Sequence, residues 1–219
     1  MADLSDVQAK AVLSIKARGT HITRAAYFDN YNLPRPIKVA VQLEGVAKLS
    51  AIMDDLMQSP IAAALPRRGL VEQLDECRDP QRPWSVVPAF IHAIEQLEPI
   101  VLIATEPLVF TNGDYQPANF LIQNNMLSGV DFEAAGFQDP MIGFAKYPIY
   151  DLHPLNKAGA VDAFRGVRGY SKQNFASRLA LGCLMALQKE VSVVGGDEQE
   201  CQYRAHILEL LTHALSDAG

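Results

Sequence analysis

Few residues of this chain are of the kinds that would tie it by composition to disulfides, nucleic acid or a membrane. Its three cysteines among 219 residues, Cys77, Cys183 and Cys201, are odd in number and contain no Cys-x-x-Cys pair. Neither a disulfide framework nor a structural zinc site is expected, and the compartment reads as reducing. Basic side chains are outnumbered, 19 Lys and Arg against 25 Asp and Glu, giving a formal net charge of -6. That balance argues against the basic footprint of sequence-independent nucleic-acid binding. No apolar run approaches the ~20 residues that cross a bilayer; that near Ile100 to Ala104 is far too short. Met1-Ala2-Asp3-Leu4-Ser5-Asp6 has no basic stretch leading into an apolar one, so no membrane partner is expected and a cytoplasmic location is the expectation. The five histidines show no metal-ligand spacing. His92, His206 and His213 fall in helical patterns and read as solvated or hydrogen-bonded imidazoles; His21 sits in a connector; His153 reads as a loop residue, with a place in a binding cleft as its alternative.

What is present describes an ordinary globular chain, 49% hydrophobic and 20% charged, able to bury a substantial core. A first helix is expected from about Leu4 to Lys16, followed by a connector rich in Asn, Asp and Pro, so that positions 1–35 form a helix and connector ahead of a main body over 36–219. Ile37, Val39, Val41 and Leu43 alternate like a strand around Lys38, but the series continues through Val46, Leu49, Met53 and Leu56 at steps of three and four. The longer period favours one amphipathic helix from Lys38 to Gln58. Val87, Phe90, Ile91, Ile94 and Leu97 place a helix over Trp84 to Leu97, and Pro99–Ala104 and Leu108–Thr111 read as short extended runs. After Gly169 the pattern is helical, with stripes at Phe175, Leu179, Cys183, Leu184, Leu187 and at Ile207, Leu208, Leu210, Leu211, Leu215, separated by Gly195-Gly196.

The chemistry concentrates in one block: Asn112-Gly113-Asp114-Tyr115-Gln116-Pro117-Ala118-Asn119, then Phe120-Leu121-Ile122, then Val130-Asp131-Phe132-Glu133. Gly113 and Pro117 disfavour a regular helix and leave Asp114 and Asn119 in a loop. Two short strands around Gln123-Asn124-Asn125-Met126 form a hairpin that returns Asp131 toward Asn119. An aspartate, an asparagine five positions on, and an Asp-Phe after a hairpin follow the order of a phosphotransfer site. In that order Asp114 is the catalytic residue that orients an acceptor hydroxyl and takes its proton. Asn119 and Asp131 supply the oxygens that Mg2+ accepts while it keeps several waters and binds phosphates. Glu133 either assists Asp131 at the metal or faces solvent. Asp139-Pro140 reads as a turn device.

The block resembles the aminoglycoside phosphotransferase and choline kinase family, whose motif is His-Gly-Asp, four residues, Asn, then a hairpin and Asp-x-Glu. Here it stands as Asn112-Gly113-Asp114, Asn119 and Asp131-Phe132-Glu133, followed by Gly136-Phe137-Gln138-Asp139-Pro140. Asn112 replaces the family histidine, which braces the loop; an amide can still donate and accept there. The resemblance, over roughly positions 35 to 215, implies a predominantly helical α+β kinase-like C-lobe, with a catalytic loop at 112–119 and a metal loop at 131–133. It further implies ATP and Mg2+ as cofactors and a small-molecule hydroxyl as acceptor.

Such an enzyme also covers its nucleotide with a Gly-rich loop and pairs the phosphates with a strand lysine. No Gly-x-Gly-x-x-Gly occurs, and Gly19 is the only glycine before position 45. The expectation is therefore a C-lobe without its nucleotide-binding N-lobe. Two readings stand: an ATP-dependent, Mg2+-assisted phosphotransferase, or a non-catalytic or truncated kinase-like lobe that acts as a binding module or takes its N-lobe from another chain.

Overall fold

The structure is a computed structural model that describes residues 66–111, 120–123, 126–129, 136–149, 165 and 169–219. The helices expected at 4–16 and 38–58, with Lys38, lie outside these residues. In chain order the elements are β1 (Arg67–Arg68), α1 (Leu70–Glu76), a 3-10 turn (Pro83–Val86), α2 (Pro88–Leu102), β2 (Val109–Thr111), β3 (Phe120–Gln123), β4 (Met126–Gly129), β5 (Gly136–Gln138), α3 (Lys146–Ile149), α4 (Lys172–Glu190) and α5 (Glu198–Ala218). They fall into two compact units. One takes the described residues up to Arg67 and from Pro107 to Gly169; the other takes Arg68–Glu106 and Tyr170–Gly219.

The second unit is helical, and its core is the antiparallel pair α4 and α5 with α2 against them. Leu181, Leu184, Leu187, Ile207 and Leu97 are fully buried, with Leu211, Ala214 and Ala218 continuing the α5 stripe. Of the expected α4 stripe, Cys183, Leu184 and Leu187 are fully buried. Phe175 and Leu179 are only half-buried, whereas Ala180 and Leu181 are fully enclosed. Both helices begin on side-chain caps that satisfy free backbone donors: Ser171 accepts from the Asn174 N–H, and Asp197 from the Glu200 N–H. Between them Gly195 (φ 82°) and Gly196 (φ 90°) take left-handed conformations open to glycine at little cost. Arg204 fastens this turn by donating to the carbonyls of Ser192 and Gly195 at 2.8 and 3.0 Å.

Two sequence expectations for α2 are corrected. Trp84 does not open the α-helix; it sits in the 3-10 turn, and α2 starts at Pro88, whose missing N–H costs nothing in a first turn. At the other end, Pro99–Ala104 is not extended: α2 runs through Pro99 to Leu102. Phe90, Ile94, Leu97 and Val101, all at most 5% exposed, keep steps of four, three and four past the proline. Burial of Val101 outweighs the one backbone hydrogen bond that Pro99 removes on the solvent side.

The first unit holds the strands. β2 pairs antiparallel with β5 in the register Val109 to Gln138, Phe110 to Phe137 and Thr111 to Gly136. β5 is the central strand of a three-stranded sheet ordered β1-β5-β2, while β3 and β4 form their own antiparallel hairpin. The extended run expected at Leu108–Thr111 thus belongs to a different sheet from the hairpin. The hairpin itself stands as expected, closing at Gln123 opposite Met126 around a two-residue connection. Val109, Phe137, Met141, Phe144, Ala145 and Ile149 form the core beneath. Asp139, 2% exposed, accepts the Met141 N–H at 2.8 Å and so closes the turn it was expected to make.

Gly136 is a position of close approach. The neighbouring Phe137 N–H donates to the Pro66 carbonyl at 2.7 Å, and a β-carbon on Gly136 would lie 2.8 Å from that same oxygen. A backbone atom cannot swing aside. Gly136→Ala is therefore expected to destabilise the chain by ~1–3 kcal/mol through forced displacement of β1, read as a lower midpoint in urea with an unchanged slope; an unchanged midpoint would show that this edge yields freely.

All three cysteines are free, Cys77 and Cys183 buried and Cys201 exposed. Burial pushes both buried thiols from 9.0 up to about 12, in Cys77 against the opposing pull of Lys189. Near neutral pH a thiol reagent is expected to modify one cysteine per folded chain and all three once unfolded. The folded state holds these protons more tightly than the unfolded state does. The stabilisation is thus complete below the unfolded value of 9.0 and is lost as pH rises toward about 12. Replacing both residues by Ala should flatten the alkaline loss of stability in that window.

Candidate functional site

Asp114 and Asn119 fall in 112–119, and Asp131 and Glu133 in 130–135; both segments lie outside the described residues, as does His153. What the structure does define is the scaffold that holds the ends of both. The segment 112–119 leaves the sheet at Thr111 and enters the hairpin at Phe120. The segment 130–135 leaves the hairpin at Gly129 and re-enters the sheet at Gly136. Thr111 is paired with Gly136, and Phe120 with Gly129. Both segments therefore span the same gap, from one end of the β2–β5 ladder to the open end of the β3–β4 hairpin. Neighbouring strand positions lie ~5 Å apart, so the two segments start side by side and finish side by side.

This double bracketing carries a message that period and propensity could not. The Phe120 to Gly129 pair of the β3–β4 hairpin gives one fixed end. The Thr111 to Gly136 pair adds the second fixed end. Gly136, part of the segment that follows the Asp-x-Glu element, is a small residue where another backbone comes close.

Arg67 lies over the Phe137 ring, 4.8 Å from its centroid, on the strand edge beside β5. Among the described residues no three His, Cys, Asp or Glu side chains come together as metal ligands, and no helix is long and apolar enough to cross a membrane. His92 is exposed and 3.7 Å from Glu95, the solvated setting expected for it. The second unit carries an apolar groove of about 610 Å³ between α2 and α5, lined by Phe90, Ala93, Ile100, Leu208, Leu211 and Leu215 among others. It holds none of the sequence-identified site residues.

No protein-family model and no curated protein matches this sequence. Among solved structures, the chain is similar to the crystal structure of a choline/ethanolamine kinase family protein from Mesorhizobium loti. The two share 15% sequence identity with a TM-score of 0.54, covering 84% of this chain and 69% of that one. The similarity is one of fold, and it places this chain with the kinase-like α+β architecture.

Proposed function

We propose that the chain is a phosphotransferase of the small-molecule kinase type, which moves the γ-phosphoryl group of ATP to a hydroxyl. The observation that carries this reading is the double bracketing: the segment with Asp114 and Asn119 and the segment with Asp131 and Glu133 are both strung between the Thr111–Gly136 and Phe120–Gly129 pairs. The fold likeness to a choline/ethanolamine kinase family protein supports it. In this reading Asp114 accepts a hydrogen bond from the acceptor hydroxyl, aims its oxygen in line with the phosphorus, and takes the proton late. A loose transition state demands positioning more than a strong base.

The donor set suits a hard divalent cation, with one neutral amide oxygen from Asn119 and anionic oxygens from Asp131 and Glu133. Mg2+ bound there would neutralise charge on the phosphate oxygens. Asn119 and Asp131 would hold it, with Glu133 as an assisting oxygen. Asn112 braces the loop in place of a histidine. The groups that cover the nucleotide come from residues outside the described set or from a partner chain.

The test is calorimetric titration of MgATP into the full chain, followed by an acceptor screen of amino alcohols, sugars and aminoglycosides. Mg2+-dependent binding followed by phosphorylation of one acceptor class establishes the reading. Absence of binding at millimolar nucleotide refutes it in favour of a kinase-like lobe used as a binding module.

A further inference from the structure

The groove of about 610 Å³ in the helical unit lies between two helices that run the same way. Ahead of α2, the Trp84 N–H reaches Val191 at the end of α4; beyond α2, Glu106 meets Asn174 in the first turn of α4. α2 is therefore antiparallel to α4. So is α5, whose Ala218 carbonyl accepts from Gln173 at the start of α4. α2 and α5 are thus parallel, and Leu187 of α4 lies on the floor between them. α5 turns Leu208, Leu211 and Leu215 into the gap, whereas α2 offers Ala89, Ala93 and Gln96 before Ile100. Two alanines cannot fill the space opposite three leucines, so the walls stay apart. From Ala89 to Ile100 the groove advances ~17 Å, three turns of helix. Ile103, 78% exposed, continues the α2 face one turn further.

The charge bordering this trough has one sign. Over 88–102 and 205–219 the two helices carry Glu95, Glu98, Glu209 and Asp217 and neither Lys nor Arg. Glu98 is paired with Arg78 at 2.7 Å. Arg204, one turn before Leu208, is engaged by the carbonyls of Ser192 and Gly195. Exposed Glu95 stands 3.7 Å from His92, which lines the α2 wall, and exposed Glu209 precedes by one turn Thr212, which lines the α5 wall. The helical unit as a whole holds 13 acidic side chains against 7 basic ones, the entire net charge of -6. A three-turn apolar trough with carboxylates at its rims complements a helix that has apolar anchors at i, i+3, i+4 and i+7 on one face and Lys or Arg on the other.

We propose that the α2–α5 groove is a docking site for a basic amphipathic helix of a partner protein. Such docking requires no phosphotransfer by this chain. The test titrates the full chain into fluorescein-labelled peptides of about fourteen residues, Lys-rich with Leu, Ile or Phe at i, i+3, i+4 and i+7, each matched by a Glu-for-Lys counterpart. The basic peptides should bind one to one and gain helical circular dichroism. They should bind at least ~10-fold more tightly than their acidic counterparts, a preference that shrinks in about 0.5 M salt. Ala89→Trp with Thr212→Trp changes two exposed lining positions, fills the groove and leaves the net charge as it was. This double variant should bind the basic peptides ~30-fold more weakly, the scale of losing a central anchor.

Binding that survives the filled groove unchanged would be general attraction to an acidic surface and would overturn the proposal. Acidic peptides that bind equally well would overturn it too, as would a series in which no basic peptide binds at about 1 mM. A concentration-dependent dimer in sedimentation, lost in the filled variant, would give the groove to a second copy of this chain and so remove the partner helix. Should the filled variant fail to fold, Thr212→Arg alone, which sets a like charge at an exposed position of the groove, is expected to weaken the basic peptides ~10-fold without weakening the acidic ones; affinities equal to those of the parent would overturn the proposal.

Discussion

Asp131→Asn is expected to abolish Mg2+-dependent ATP binding in calorimetry and to lower phosphotransfer by ~10³-fold or more. The substitution is nearly isosteric and so gives the backbone no steric reason to move. What disappears is an anionic oxygen. An amide oxygen is a weaker donor to a hard dication and leaves the surrounding phosphate charge uncompensated. A Lewis-acid contribution of several kcal/mol to the transition state, at 1.36 kcal/mol per decade, gives the thousandfold figure. Binding that survives Asp131→Asn with unchanged Mg2+ dependence would remove Asp131 from the metal site. Glu133→Gln, measured in parallel, would then identify the anionic ligand.

Asp114→Asn supplies the contrast. Its proposed task is at the acceptor, so MgATP binding should remain near that of the parent while turnover falls by ~10²–10⁴-fold, the range for loss of a positioned proton acceptor. The pair of variants separates two roles that lie in adjoining segments. Equal loss of nucleotide affinity in both would mean that the 112–119 segment is bound to the metal through Asp114 as well, and the assignment of Asn119 would have to be reconsidered.

Local signals along the chain made much of this architecture legible. The β3–β4 hairpin followed from two apolar runs around Gln123-Asn124-Asn125-Met126, of which Gln123 and Met126 prove to be the closing strand pair, and the α4–α5 pair from stripes at helical spacing broken by Gly195-Gly196. The Asp139-Pro140 turn followed from the habit of aspartate to cap nearby N–H groups. The misreadings arose where tertiary packing overrode a local cue. Pro99 reads as a terminator, yet α2 passes through it because Val101 gains a buried site. Trp84 reads as helical but is drawn out of α2 by a partner 107 positions away. The pairing of β2 with β5 was illegible for another reason. Three-residue strands carry too little period to be matched, and 24 residues separate Thr111 from its partner Gly136. At the candidate site the sequence supplied residue types and spacing, and the structure supplied the two strand pairs that bracket them.

Trp84→Ala should produce the largest loss of stability among simple truncations in the helical unit. The indole is 4% exposed, its ring 5.9 Å from the Phe90 ring centroid, and its N–H donates at 2.7 Å to the Val191 carbonyl at the end of α4. Truncation removes a large apolar side chain from a site that cannot fully collapse, at ~3–5 kcal/mol, and leaves the Val191 carbonyl without this donor, for ~1 kcal/mol more. For a chain of this length each kcal/mol corresponds to ~2–4 °C, so the midpoint should fall by roughly 10–15 °C. Trp84→Phe separates the two contributions: it keeps most of the apolar mass and forfeits the hydrogen bond, and should lie much closer to the parent. Trp84 is the only tryptophan, so the parent can be followed by its emission, whereas the variants are compared by circular dichroism. A midpoint within a few degrees of the parent for Trp84→Ala would mean that the link between the 3-10 turn and the α4 terminus contributes little. The cohesion of the unit would then rest on α4 and α5 alone.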